Sequence, residues 1–193
     1  QLAIHAMDMM RQQVRPESRI GTWIIAGGTA SNVISEFGEL EVTVRHTERE
    51  YLNGLSEQIK NIFEGAALCT GTTVDVEFYG NPYDDMNQNH RGTVLIEEIM
   101  SDMGIDFKPG PADIGGSSDI GNVSYQCAAF HPKLRLAGDD KVCHSKEFAA
   151  AMLEPTIEQT ILDGANIIGR TLLSLVENPA VLEEIVAEFN ASK

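Results

Sequence analysis

The sequence predicts an α+β domain over residues 1–80, followed by part of an α/β domain over residues 81–193. In the first segment the patterns run helix, strand, strand, helix, strand. This is the order of a ferredoxin-like βαββαβ sandwich that lacks its first strand. In the second segment short apolar runs precede long helical patterns, as at the end of an α/β domain. The dipeptide Asn81-Pro82 marks the boundary between the two segments.

Hydrophobic periodicity defines the first elements. Apolar residues at helical spacing predict a helix over residues 2–14, which Pro16 ends. Residues 19–26 are rich in Ile, Thr and Trp, and residues 39–45 alternate charged with apolar side chains. Both segments are therefore predicted strands, the second with one solvent-facing side.

A long helix and a third strand complete the first domain. Thr47 and Glu50 have the spacing of a capping box, which predicts the start of a helix over residues 48–68. Gly71 follows that helix as a stop signal. Residues 73–79 alternate again and predict a strand.

The second domain is predicted to be mostly helical. Its expected elements are a helix over 92–103 ended by Gly104, a loop over 108–116, strands over 123–130 and 133–137, and helices over 147–153, over 156–176 and after Pro179. Pro155 suits the first position of the helix that follows it.

Composition excludes several classes of protein. With 14 Lys and Arg against 29 Asp and Glu, the net charge is −15, which argues against a nucleic-acid or anionic-lipid partner. An anionic substrate would need a local positive group, such as Arg45 or a metal. No apolar run reaches membrane-spanning length. The odd number of cysteines, 3, without metal-site spacing favours a reducing, cytoplasmic setting.

The N-terminus has no initiator Met and no signal-peptide pattern, and it opens directly into an amphipathic segment. Together with the missing first strand, this leads us to expect that the natural chain begins earlier.

Three separated motifs carry the functional prediction. The Gly/Ser/Asp-rich segment 115–122 offers backbone N–H groups and hydroxyls to an anion. His144 lies downstream and could supply an imidazole to a metal. Far upstream, Gly27-Gly28 precedes Asn32, and Arg45 follows thirteen residues after Asn32. Taken singly, each has an ordinary alternative: a turn, a surface histidine at a helix start, or a charged residue at a strand end.

In this order the motifs resemble the second half of M20 family metallopeptidases and amidohydrolases, in particular the branch of aminobenzoyl-glutamate utilisation proteins and M20-domain amidohydrolases. The resemblance covers most of residues 1–150. It is carried by residues 11–13, 27–28 with 32–34, 64–67 with 70–72, and 116–124. It implies a lid, or dimerisation, domain over residues 1–80 and the C-terminal part of a zinc-peptidase-like catalytic domain over 81–193.

The resemblance also implies roles for individual residues. His144 would be the last ligand of a divalent metal, zinc or alternatively manganese, whose other ligands lie upstream of this chain. Asn32 would stabilise the oxyanion, and Arg45, Ser117 and Ser118 would hold the substrate's carboxylate. The implied reaction is cleavage of an amide in an N-acyl amino acid or short peptide by metal-activated water, in a cytoplasmic homodimer joined through the lid. The isolated chain is expected to be inactive.

Two departures from the family pattern bear on this expectation. Family lids often carry a histidine where this chain has Gly21 and Thr22, and a proline where it has Ser35. The alternative is therefore a non-catalytic dimerisation or binding module. A small-molecule-sensing ferredoxin-like domain is a third hypothesis, which leaves segment 116–122 and His144 without a role. We interpret His131, between an aromatic residue and a proline, as structural.

Overall fold

The computed structural model describes residues 1–109, 116–136 and 141–192, which divide into two units. The first unit comprises residues 1–85 with Gly116, and the second comprises the other described residues. The elements are α1 (Leu2–Met10), β1 (Arg19–Ala26), β2 (Glu39–Arg45), α2 (Arg49–Thr70), α3 (His90–Asp102), α4 (Ile120–Ser124), α5 (Lys146–Ala151), α6 (Thr156–Glu177) and α7 (Pro179–Ala191). Among the described residues, no helix combines the length and apolar character needed to cross a bilayer.

The two predicted strands form an antiparallel hairpin, as expected. Its register runs from Arg19 opposite Arg45 to Ala26 opposite Glu39, with an irregularity after Ile24. The predicted third strand is not formed, because residues 73–79 make no ladder with either strand. A strand exists only through hydrogen bonds to a neighbour, and in a ferredoxin-like sheet the last strand pairs with the first. The sequence analysis found no such first strand.

One contact nevertheless joins this segment to the hairpin. The Tyr79 hydroxyl is hydrogen-bonded to the carboxylate of Glu41 in β2, and this interaction raises the pKa of Tyr79. The α+β character of the first unit is thus confirmed by one hairpin and two helices, without a complete sandwich.

The core of the first unit lies between its helices and the hairpin. Met7 of α1, Ile20 of β1, and Leu55 and Ile59 of α2 form its buried cluster. Helix α1 ends at Met10, earlier than predicted, and residues 11–13 continue only as a turn before Pro16. Gly71 ends α2 in the left-handed conformation (φ 65°), which glycine adopts without a steric cost.

The start of α2 differs from the predicted capping box. Glu48 is the N-cap, and it makes no side-chain capping hydrogen bond. Instead, Nδ1 of His46 accepts a hydrogen bond from the Glu48 backbone N–H at 2.9 Å. The His46 ring lies 4.3 Å from that of Tyr51. The imidazole therefore satisfies the backbone N–H group of the N-cap residue, which lies one residue later than the capping box predicted.

In the second unit, α3 packs against α6 and α7. Two buried clusters form its core, one around Leu95, Ile99 and Ile185 and the other around Ile96, Met100 and Ile167. The predicted helices here lie close to their expected bounds, although Pro155 is the N-cap of α6 rather than its first residue. The strands predicted over 123–130 and 133–137 are wrong for the described residues. Residues 120–124 form α4, and Ala137 lies outside the described residues.

The N-terminus of α3 is fixed by side chains from two elements. The Asn89 side chain is 3% exposed, accepts a hydrogen bond from Gly92 N–H at 2.9 Å and donates one to the Ile185 carbonyl at 2.9 Å. The Glu188 carboxylate accepts from the N–H groups of His90 and Arg91 at 2.6 and 2.8 Å. These bonds satisfy donors that no helical carbonyl can reach.

Replacement of Gly92 by alanine should destabilise the second unit. A Cβ at this position would lie 1.8 Å from Cε1 of Phe130, whose ring packs in both clusters. We expect Gly92→Ala to lower the free energy of unfolding by about 1–3 kcal/mol, measured by chemical denaturation. In the control Gly169→Ala, a Cβ meets nothing within 4 Å on α6, and a gain of about 0.5–1 kcal/mol is expected. Equal effects of the two changes would contradict this packing.

Loss of the Asn89 side chain should have a comparable cost. Asn89→Ala removes the N-cap and leaves the buried Ile185 carbonyl without this donor, so we expect a loss of about 1–2 kcal/mol in unfolding free energy. The matched change Asn190→Ala, at an exposed position of α7, should leave stability nearly unchanged. A stable Asn89→Ala variant would disprove the capping role.

Candidate functional site

Asn32 lies in the connection between β1 and β2, within an exposed turn in which the Val33 N–H group bonds to the Ala30 carbonyl. Gly28 precedes this turn with φ 114°, a conformation that an L side chain rarely adopts, and an added Cβ would lie 3.3 Å from that of Ser35. The Ser35 hydroxyl donates to the Phe37 carbonyl and so holds the other side of the loop. The Gly27-Gly28 pattern therefore serves the local path of the chain, which presents the Asn32 amide to solvent.

Arg45 is the last residue of β2 and is exposed. It lies opposite Arg19, at the end of the ladder remote from the loop that carries Asn32. Strands rise about 3.3 Å per residue, so the hairpin ladder separates its two ends by roughly 20 Å. The structure thus does not bring the two lid residues of the sequence prediction to the same end of the hairpin.

A cavity of about 600 Å³ lies beside Arg45. It is lined by Arg11, Val14, Arg15, Pro16, Ser18, Arg19, Ile20, Gly21, Thr43 and Arg45. At Gly21, where the resembled family often has histidine, an added Cβ would lie 3.9 Å from the Thr43 side chain, which is an ordinary van der Waals contact.

The four arginines of this cavity differ in their partners. Arg11 pairs with Asp8 at 2.9 Å and Arg15 with Glu48 at 2.6 Å. Arg19 donates to the carbonyls of Pro16 and Ser18 at 2.6 and 2.7 Å.

Arg45 forms no side-chain hydrogen bond or ion pair within the described residues, and neither Arg19 nor Arg45 pairs with a carboxylate there. The cavity wall therefore carries two guanidinium groups without a carboxylate partner, directly opposite each other across the hairpin.

Two polar side chains beside this arginine pair are also unsatisfied. Across the described ranges, the buried side-chain N and O atoms without a hydrogen-bond partner are Oγ of Ser18 and Nε2 of His46. Ser18 precedes Arg19 and His46 follows Arg45, so both flank the same register position. An unpaired buried polar atom typically costs about 1–3 kcal/mol, and its presence calls for an explanation.

The loop that was predicted to hold the substrate's carboxylate contains Ser117 and Ser118. Ser117 is exposed and Ser118 half-buried, and Oγ of Ser118 lies 3.4 Å from both Oδ1 of Asp119 and the Ile120 N–H group. Ser124, which the sequence analysis did not single out, is the best-anchored residue nearby. Its buried hydroxyl donates to the Gly121 carbonyl at 2.6 Å and accepts from the Asn87 N–H group at 2.8 Å. Gly115 of the same motif lies outside the described residues.

His144 is exposed in a turn and has φ 65°. Among the described residues, no other non-glycine residue has a positive φ. The next residue, Ser145, caps α5 by accepting a hydrogen bond from the Phe148 N–H group at 3.0 Å. Left-handed backbone costs a non-glycine residue about 1–2 kcal/mol, and such residues cluster at functional sites. His131 is exposed, outside any helix or strand.

The described residues do not form a complete metal site. No group of three or more His, Cys, Asp or Glu side chains is close enough there to hold an ion. His144 alone fits the donor chemistry of zinc, which accepts a neutral imidazole nitrogen. A metal bound through His144 would need its remaining ligands from outside these residues.

The sequence analysis missed Ser18 and the arginine cluster. Arg11, Arg15 and Arg19 recur every four residues, which in an acidic chain could have indicated a local positive surface. The register that places Arg45 opposite Arg19 could not be read from either strand alone.

Comparison with known proteins relates this chain to peptidases. No family model matches it. The Xaa-Arg dipeptidase of Mus musculus is 29% identical over 191 residues, covering 97% of this chain and 44% of that protein. The Xaa-Arg dipeptidase of Homo sapiens is 27% identical over 194 residues, again covering 97% of this chain and 44% of the relative.

The chain therefore spans less than half the length of the curated relatives it matches. Because the match covers 97% of the chain, the similarity extends through both structural units. This similarity along nearly the whole chain supports the resemblance to M20 peptidases that the sequence motifs indicated.

Proposed function

We propose that this chain is part of a metal-dependent amidohydrolase or peptidase that cleaves the amide bond of an N-acyl amino acid or short peptide. The observation that carries the proposal is the similarity to Xaa-Arg dipeptidases over 97% of the chain. The curated relatives are named for hydrolysis of a dipeptide, so the reaction class agrees with the amide cleavage that the motifs predicted. The isolated chain should be inactive, because its described residues form no complete metal site.

In this proposal His144 is one ligand of a divalent metal, zinc or manganese. Its exposure leaves the imidazole accessible, and its left-handed backbone is the kind of strained feature that function can retain. When bound, such a metal would supply an activated water for hydrolysis. Ser117 and Ser118 would contact the substrate's carboxylate end through their hydroxyls.

Asn32 and Arg45 would contribute to the site from different copies of the chain. Asn32 would donate its amide N–H to the developing oxyanion, and Arg45 would bind the substrate's carboxylate with its guanidinium. The two residues lie at opposite ends of the hairpin, roughly 20 Å apart along the strands. A two-fold axis that crosses the hairpin near its middle would bring its opposite ends together, so a homodimer through the lid could place both residues at one site.

We also propose a cytoplasmic location. Cys69, Cys127 and Cys143 are all free and exposed. Exposed thiols persist in a reducing compartment, whereas an oxidising one would pair or modify them.

The alternative function is a non-catalytic dimerisation module. It is favoured by exposed apolar side chains on β1, where Trp23 is 63% exposed and Ile24 and Ile25 are also exposed. Apolar residues grouped on one strand indicate a surface that another element covers. Dimerisation of the complete gene product without metal uptake or hydrolysis would support this alternative.

Two replacements of His144 separate its backbone effect from its role as a ligand. His144→Gly should stabilise this chain by about 1 kcal/mol, because glycine adopts φ 65° freely, whereas His144→Ala should not. Both changes should remove metal and amidase activity from the complete gene product that carries these residues. Stability is measured by chemical denaturation, and metal content by elemental analysis.

The control for this experiment is His5→Ala, which removes an exposed histidine from α1. It should change neither metal content nor hydrolysis. Full metal occupancy in His144→Ala would disprove the ligand role.

Mixing two inactive variants tests whether Asn32 and Arg45 serve one site from two copies. Asn32→Ala and Arg45→Gln of the complete gene product should each be nearly inactive as homodimers. After subunit exchange, half of the dimers are mixed, and each mixed dimer has one intact site out of two. Activity should therefore recover to about a quarter of the wild-type value. No recovery despite verified exchange would mean that both residues act within one copy.

A further inference from the structure

The arginine cavity is unusual in a chain of this charge. The chain carries a net charge of −15, yet four of its 14 Lys and Arg side chains, Arg11, Arg15, Arg19 and Arg45, line one cavity. Asp8 and Glu48 neutralise Arg11 and Arg15 through ion pairs. The positive charge that remains at the cavity therefore comes from Arg19 and Arg45.

These two residues face each other in an unfavourable arrangement. Arg19 and Arg45 are cross-strand partners, and like charges directly opposite each other destabilise a hairpin. Within the described residues neither guanidinium has a carboxylate partner that would relieve the repulsion. A bound anion would relieve it.

The orphaned polar atoms provide an independent observation at the same place. Ser18 lines the cavity and is 8% exposed, and its hydroxyl has no hydrogen-bond partner among the residues that the structure describes. His46, whose Nε2 atom is likewise buried and without a partner among those residues, directly follows Arg45 at the end of β2. Because Nδ1 of His46 accepts a hydrogen bond, a neutral His46 ring carries its proton on Nε2. Ser18 thus holds an unused O–H donor at the cavity, and His46 holds an unused N–H donor one residue beyond Arg45.

We propose that this cavity binds a small dicarboxylate through Arg19, Arg45 and Ser18. Two guanidinium groups match two carboxylates, since each planar fork can bind one carboxylate with two parallel hydrogen bonds. The volume of about 600 Å³ lies within the range of small-molecule sites and exceeds what a single tetrahedral oxyanion fills. The Ser18 hydroxyl supplies a further donor to the same ligand.

This inference deepens the proposed function and rests on it for the identity of the ligand, because Arg45 is the residue proposed there to hold the substrate's carboxylate. It assigns the substrate a second acidic group beside that carboxylate. Arg19 and Ser18 then become specificity-determining residues. An uncharged or basic group at this position would leave the Arg19 guanidinium without an anionic partner.

Isothermal titration calorimetry of the 193-residue chain with succinate tests the proposal. The titrations are made in a low-salt buffer without phosphate, because salt screens the electrostatic attraction between exposed arginines and the ligand. We expect one saturable site per chain, with acetate and inorganic phosphate each binding at least roughly tenfold more weakly, since each engages only one part of the pair.

Variants locate the binding. Arg45→Gln and Arg19→Gln should each weaken succinate binding roughly tenfold. Arg170→Gln, which removes the same charge from an exposed position on α6, should leave it unchanged. Arg19 also holds the Pro16 and Ser18 carbonyls, so Arg19→Gln could loosen that turn. Arg45→Gln breaks no such contact within the described residues and keeps the test decisive.

Ser18→Ala separates a ligand role from a structural one. No described residue forms a hydrogen bond with the Ser18 hydroxyl, so the variant should be at least as stable as the wild type and yet bind succinate more weakly. Reduced stability with unchanged binding would assign this residue to the fold and overturn its role in the site.

Several outcomes would overturn the inference as a whole. One is that succinate shows no saturable binding. Another is that Arg170→Gln weakens succinate binding as much as Arg45→Gln does. The third is that phosphate or acetate binds as tightly as succinate. Amide hydrolysis by the complete gene product without succinate binding to the chain would refute this inference and leave the proposed function standing. Succinate binding without any hydrolysis would do the reverse.

Discussion

The antiparallel register of β1 and β2 is the constraint on which the rest of the candidate site depends. It places Arg19 opposite Arg45 and puts the loop that carries Asn32 at the far end of the same hairpin. A slip of one residue would move every side chain of one strand to the other face. Ile20, buried between the hairpin and the helices α1 and α2, would then leave the core. Hydrophobic burial thus fixes the position of the charged pair.

Several contacts hold the residues between α1 and the hairpin in place. Arg15 lies 4.4 Å over the Tyr51 ring and pairs with Glu48, while Arg11 donates to the Ile20 carbonyl at 2.5 Å. These contacts fix the α1 end of the cavity without neutralising Arg19 or Arg45. Buried polar groups that are left unsatisfied in a well-packed unit are expected at functional sites, where local stability is given up for binding.

Sequence periodicity predicted the helices and the hairpin well, because burial of one face leaves a pattern in each element. It failed where contacts decide the outcome. Residues 123–130 are apolar but begin within the short helix α4, anchored by Ser124, and residues 73–79 alternate without a strand partner. Asn32, Arg45 and His144 could be named from motifs and resemblance. Their separation along the hairpin and the role of Arg19 depend on register, which no single segment encodes.

The most direct measurement is the NMR spectrum of the arginine side-chain Nε–Hε groups during titration with succinate. We expect the signals of Arg19 and Arg45 to shift together along one saturation curve, while that of Arg170 stays in place. The dicarboxylate site would be contradicted if all arginine signals shifted in proportion to ionic strength. It would also be contradicted if neither the Arg19 nor the Arg45 signal shifted. In that case the cross-strand arginines would be only a tolerated repulsion on an exposed hairpin.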